Sequence, residues 1–385
     1  MKERGMVRLD YNDELSRVSS YMRLMDQTNA EIIGALSRHD PRNLSAISKD
    51  VGLANSTMAF RIKKLIENLN LEINARVDFN KIGLTRAIVL TETLPAKWNK
   101  LWKIMENMGC LTYLTKCHGR IYGCYAIFAF PDSRKNELKR YFKNLKNIGA
   151  ISNFQLFWTT NLCEIHPNFN WYDFDKKEWI FQWKRWVNDI YKASDSLPES
   201  LKDPKEYPMK ADKKDLLLLS QLEKNGVLSY EELAKTANMN PRTVAYRYKK
   251  HLTDRKLILD HMVWFLPYPH DISDACAFII EFESEKSLAK FANTLNKTPF
   301  VLSYAKVIGR RLLIVNIYIP KAEFPNFIDS LNTLAENRLI IDYFHVTLTL
   351  NPHKRGGIPY EFFKDNAWKC NLEDNTILPQ ITNKT

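Results

Sequence analysis

The stretch LSYEELAKTANMNPRTVAYRYKKHL, Leu228–Leu252, decides the fold of this 385-residue chain. Ser229 stands where a helix N-cap belongs, and Glu232 three residues later completes a capping box for the helix that follows. The short turn Met239-Asn240-Pro241 ends that helix. Pro241 sits where the first turn of a new helix tolerates a missing N–H. In the new helix Val244, Tyr248 and Leu252 share one face, leaving Arg242, Thr243, Tyr246, Arg247, Lys249 and Lys250 to the other. Upstream, DKKDLLLLSQLEKNG is an amphipathic helix, with Asp212 as its N-cap and Gly226 as its stop. Three short helices with a tight second turn are a helix-turn-helix.

The same pattern occurs earlier. Asp26 falls on Asp212 at an offset of 186 positions (212 − 26), and no gap is needed as far as Leu65. Leu36 meets Leu222, Ile47 meets Leu233, Thr57 meets Thr243, Phe60 meets Tyr246, Arg61 meets Arg247 and Lys64 meets Lys250. In this first copy Ser45 is the candidate cap of the second helix. The third helix buries Met58, Ile62, Leu65 and Leu69, and presents Asn55, Ser56, Thr57, Phe60, Arg61, Lys63 and Lys64. The repeat continues in HGRIYGCYAIFAFP, His118–Pro131, and IGRRLLIVNIYIP, Ile308–Pro320, each a Gly-Arg turn followed by an apolar strand.

After each third helix the hydrophobic period changes from 3.6 to alternation. LEINARVDFN reads as a wing, and the following segments read strand, helix, strand, strand, helix, strand in both halves. The expected fold class is α+β: a tandem duplication of a winged helix-turn-helix followed by a ferredoxin-like βαββαβ sandwich. The expected divisions are a tail at 1–22, a winged helix-turn-helix at 23–80 and a sandwich at 81–166. An aromatic helix and proline-bearing linker follow at 167–208, then a second head at 209–268, a second sandwich at 269–352 and a C-terminal tail at 353–385. The tryptophans of WIFQWKRWVNDIYK, Trp179–Lys192, are expected to pack on the first unit.

A net charge of +12 and a pI near 9.2 favour a polyanionic partner. A recognition helix entering the major groove needs Asn, Ser, Thr or Arg at its start for base edges and Lys or Arg further on for phosphates. Both third helices carry that arrangement, so double-stranded DNA is the expected partner. No run reaches the length of a membrane span and the N-terminus lacks an apolar signal core, so a cytoplasmic protein with no membrane partner is expected.

The two helix-turn-helix stretches and the order of the sandwich elements resemble the Lrp/AsnC family of archaeal and bacterial transcription regulators, in tandem and in archaeal-like form. The resemblance spans nearly the whole chain twice. It implies that the sandwiches pair sheet to sheet as a pseudo-dimer, that a small-molecule effector binds, and that chains associate as homodimers. Where family members carry an acidic residue after the glycine of this sandwich turn, Gly119 and Gly309 are followed by arginines, which argues against amino-acid sensing. Sirohaem decarboxylases also resemble this family and pair two such units; on that alternative His118, Arg120, Arg310 and Arg311 would hold carboxylates. A non-specific architectural DNA-binding protein is the other alternative. Cys110, Cys117, His118 and Cys124 have spacings too wide for a zinc knuckle and read as buried thiols without a disulfide framework. No phosphate loop, GxSxG or HExxH motif occurs. A regulator, with no enzyme activity, no cofactor and no metal, is the expectation.

Overall fold

The computed structural model describes residues 24–69, 71–205, 209–370 and 372; the tail expected at 1–22 lies outside them. Helices α1 (Gln27–Arg38), α2 (Leu44–Val51) and α3 (Asn55–Leu69) form a first head around Ile32, Ile33, Leu36, Ile47, Met58 and Leu65. Asp26 caps α1 by accepting from the Asn29 N–H. The cap of α2 is Asn43, not Ser45. The helix starts two residues earlier than the Ser45 reading required, so the Asn43 oxygen accepts from Ala46 N at 3.1 Å.

Strand β1 (Glu72–Val77) leaves the head, and β2 (Leu84–Glu92), α4 (Trp98–Glu106), β3 (Leu111–Gly119), β4 (Gly123–Pro131), α5 (Lys135–Asn147) and β5 (Asn153–Thr159) follow. Their sheet order is β5-β2-β4-β3, all antiparallel, which is the split βαββαβ arrangement. Short strands β6 (Cys163–Glu164), β7 (Tyr172–Asp173) and β8 (Glu178–Trp179) lead into α6 (Trp183–Lys192).

The second head comprises α7 (Lys213–Lys224), α8 (Tyr230–Ala237) and α9 (Pro241–Arg247), the last widening into a π-helical turn over Tyr248–Thr253. Capping boxes Asp212/Asp215 and Ser229/Glu232 are both formed, and Pro241 opens α9. Gly226 does not end α7; Asn225 is the C-cap. Gly226 is required for a different reason, because a Cβ there would lie 3.1 Å from the Ile73 carbonyl of the first unit. Strand β9 (Ile258–Trp264) follows. Then β10 (Ser273–Phe282), α10 (Glu285–Leu295), β11 (Val301–Lys306), β12 (Leu312–Pro320), α11 (Phe324–Glu336) and β13 (Ile340–Arg355) give the order β13-β10-β12-β11. Strands β14 (Phe363–Lys364) and β15 (Ala367–Trp368) form a terminal hairpin.

The two sheets meet along both edges. β3 pairs with β13 on one side, and Thr159 bridges to Val307 on the other. Alternate residues of β2 divide between two cores: Ala87 and Val89 face α4 and α5, while Ile88 and Leu90 face the other sheet. This double burial explains why β4 is apolar throughout: all of Gly123–Pro131 is buried. Tyr125 reaches across to donate to Asn316 Oδ1 at 3.2 Å. The layers are therefore helix, sheet, sheet, helix.

The aromatic tails cross over. Contrary to expectation, the tryptophans of α6 pack on the second sandwich: Trp183 and Trp186 lie 5.0 and 5.4 Å from the ring of Phe300, and Trp186 lies 5.7 Å from that of Phe291. The tail of the second half returns the favour. Cys370 forms a disulfide with Cys110 of the first sandwich, so the expectation of unpaired thiols fails for these two. Trp368 Nε1 donates to the Ile82 carbonyl. Large aromatics bury the most area per residue, so each unit covers the other's exposed helices with its own tail. Among the described residues, no helix is long and apolar enough to cross a membrane.

Candidate nucleic-acid interface and charged junction

Strands β1 and β9 pair antiparallel, Ile73 opposite Val263, and join the two heads through one ladder. The wing expected within each head is instead a single strand shared with the other head. A second contact lies beside it: Arg42, in the α1–α2 turn, sits 3.9 Å over the ring of Tyr248, whose hydroxyl donates to Asp40 at 3.2 Å. The heads thus have a fixed relation to one another.

On α3, Asn55, Ser56, Thr57, Phe60, Lys63 and Lys64 are exposed, and Lys64 Nζ lies 4.6 Å from the Phe60 ring centre. On α9 and its continuation, Arg242, Thr243, Tyr246, Lys249 and Lys250 are exposed. Phe60 and Tyr246, which occupy matching positions, are 57% and 61% exposed, far beyond what a packed aromatic shows. Lys63 and Lys250 make only exposed i,i+4 pairs with Glu67 and Asp254.

Arg61 and Arg247 differ from the outward orientation expected of them. Arg61 Nη1 donates to both Asp26 oxygens and to Asn29 Oδ1, at 2.9–3.2 Å. Arg247 Nη1 donates to Asp212 at 2.8 and 3.0 Å and to Asp215 at 2.7 Å. Each arginine ties its third helix to the N-terminus of the first helix, where the carboxylates already serve as caps. Burial disfavours charge on Asp212, but the Asp215 N–H and Arg247 outweigh it and hold its carboxyl below the ordinary range. Asp212, Asp215 and His251 place ligand atoms within 4.8 Å of one another. Arg247 already supplies the positive charge there.

A second site was not visible in the sequence reading. Beneath the heads, Arg76 of β1 lies against Asp260 of β9 through two of its nitrogens, and donates to the Glu164 carbonyl at 2.9 Å. Arg86 of β2 donates to Thr112 at 2.7 Å, stacks 3.6 Å from the Phe79 ring and lies 3.8 Å from Glu223 of α7. Glu223 accepts from Ile358 N at 2.7 Å. Arg355 pairs with Glu72 at 2.8 Å. Burial pushes the Glu223 carboxyl up to about 7 against the pull of Arg86. Burial likewise raises Glu164, although Arg76, Arg86 and Arg355 act on it. Nε of Arg86 and Nδ1 of His166 are buried without a partner. The available signal was an arginine inside a strand that otherwise reads apolar, in EINARV and LTRAIVLTE.

The other singled-out residues do not assemble. His118, Arg120, Arg310 and Arg311 are exposed at the two sandwich turns, Arg120 over Phe344 at 4.6 Å and Arg310 beside Glu281 at 3.9 Å. Cys110 is taken up by its disulfide, while burial pushes the Cys117 and Cys124 thiols up to about 12. Cys110, Cys117, His118 and Cys124 therefore do not form one donor set.

Comparison with known proteins is consistent with this layout. Residues 212–250 match the AsnC-type helix-turn-helix domain. No curated protein sequence matches the chain. Among solved structures, the siroheme decarboxylase NirDL is similar over 92% of this chain and 99% of its own, at 12% identity and a TM-score of 0.53, a likeness of fold. A transcriptional regulator from Neisseria meningitidis solved with L-Met covers 38% of this chain with 95% of its own, at 21% identity and TM-score 0.33. Escherichia coli AsnC covers 38% with 96% of its own, at 21% identity and TM-score 0.29. The expectation of a protein without enzyme activity is corrected by the first of these: a protein of this fold over its full length is a decarboxylase.

Proposed function

We propose that the chain is a tandem duplication of an AsnC-type regulator unit that binds double-stranded DNA through α3 and α9 together. The supporting observation is that both helices present exposed hydroxyl, amide and basic side chains which no other described segment covers. Asn55, Ser56, Thr57, Arg242 and Thr243 are placed for base edges, and Lys63, Lys64, Lys249 and Lys250 for phosphates. The paired sandwiches do within one chain what a subunit interface does in a dimer, and the β1–β9 ladder sets the separation of the two reading helices. On this reading an effector would act through the junction that connects sandwiches to heads. The test is DNA affinity as a function of salt. The quadruple variant K63A/K64A/K249A/K250A should lower the slope of log K against log salt by about 3–4. An unchanged slope would remove these lysines from the interface.

A second reading has its own observation. The junction gathers Arg76, Arg86 and Arg355, and the Nε of Arg86 is buried there without a partner, in a chain similar in fold to a siroheme decarboxylase over 92% of its length. On that reading the substrate is a carboxylated tetrapyrrole, and the junction arginines, not the exposed turn residues His118, Arg120, Arg310 and Arg311, orient its carboxylates. Mass spectrometry of sirohaem incubated with the protein should then detect loss of carboxyl groups, abolished in R86A. Unaltered sirohaem eliminates this reading.

A further inference from the structure

The matched arginines Arg61 and Arg247 point into their own heads and are held by carboxylates. With both withdrawn, what distinguishes the exposed faces of the two reading helices is the unlike pairs Ser56/Arg242 and Phe60/Tyr246. Arg242 lies at the start of α9, where the Asn240 side chain accepts from its backbone N–H at 2.9 Å and Pro241 occupies the first turn. Its guanidinium is exposed and forms no ion pair among the described residues. The matching position on α3 is Ser56, whose side chain is too short to replace it. The large apolar side chain on the matching face of α3 is Phe60, 57% exposed.

We propose that the two helices read unlike half-sites: Arg242 reads a guanine under the second head, and Phe60 reads a thymine methyl under the first. The inference rests on the DNA-binding reading and assigns the base chemistry within it. A guanidinium fits the O6 and N7 acceptors of guanine with two parallel hydrogen bonds, which no other base edge offers in the major groove. An aromatic ring has no donor for a base edge, and the apolar feature available to it in the major groove is the thymine C5 methyl. Tyr246 carries at the position of Phe60 a hydroxyl that donates and accepts hydrogen bonds, so the second head is not confined there to an apolar contact. The site is therefore a pair of unequal half-sites, not a palindrome, and the protein binds it in one orientation.

The experiment is selection of bound duplexes from a randomised pool by the full-length protein, followed by affinities of single-base variants of the selected site. Wild-type protein should enrich two different half-sites. Replacing the guanine under the second head should weaken binding about tenfold for wild type and leave R242A unaffected. Replacing the thymine under the first head by uracil, which deletes only the methyl group, should weaken wild type about threefold and leave F60A unaffected. Both side chains are exposed, so unchanged thermal unfolding of the variants is the control. A palindromic site, or R242A losing both half-sites alike, overturns the inference while DNA binding stands. Absence of any enriched sequence overturns both.

Discussion

The first and second heads share a plan but are secured differently. In the first, a single carboxylate, Asp26, caps α1 and receives Arg61, and α2 has only the Asn43 cap. In the second, Asp212 and Asp215 form a capping box, Asp215 is 1% exposed, and Arg247 and His251 both close on it. α8 has a full box and α9 a proline and an asparagine cap. The difference teaches that a head's identity is written most clearly where its helix ends are locally satisfied. The AsnC-type domain matches the second head, where those signals are complete.

The largest test of this contrast is Arg247→Ala against Arg61→Ala. Removing Arg247 leaves Asp215 buried, and should destabilise the second head by about 3 kcal/mol. Asp26 is half exposed, so losing Arg61 should cost about 1 kcal/mol or less. Equal losses in denaturant melts would erase the distinction.

The next concerns Glu223, whose counterpart in the first head is Ser37, bonded locally to the Gly34 carbonyl at 2.7 Å. The folded Glu223 carboxyl titrates at about 7, above the ordinary 4.5. The folded chain then keeps a proton that the unfolded chain has released, so stability falls as pH rises from about 4.5 to about 7 and levels off above. Over that window the loss is on the order of 3 kcal/mol. E223Q should flatten the slope; the same slope in E223Q would place the titration elsewhere.

The smallest is Ser229→Ala, which should cost about 1 kcal/mol, against about 0.5 kcal/mol for Asn43→Ala. Thermal melts that rank the two the other way would show that the box adds nothing to the single cap.

Much of the fold was legible because its signals are local. Asp26, Asp212, Ser229 with Glu232, and Pro241 each act within one helical turn, and the structure uses each as its position suggests. Val244, Tyr248 and Leu252, one face of the third helix, are all buried. Misreadings arose where a residue had two local options. Ser45 and Asn43 could both cap α2, and Gly226 could end a helix or permit a close approach. Of the candidate interface, the exposed positions were legible from helical spacing, but the inward turn of Arg61 and Arg247 was not. Spacing gives the face on which a side chain starts, while a long guanidinium stem reaches whichever carboxylate is nearest.

By itself the sequence determined the periodicities, the caps and therefore the kinds and order of elements, since these depend on neighbours a few residues away. Only the tertiary structure decided what lies between distant segments. It paired β1 with β9, crossed each aromatic tail onto the other unit, joined Cys110 to Cys370 across 260 residues, and gathered Arg76, Arg86, Glu164 and Glu223 into one junction. A buried charge is tolerable only beside its opposite, and an apolar face only against another. Which partner satisfies it depends on the packing of the whole chain.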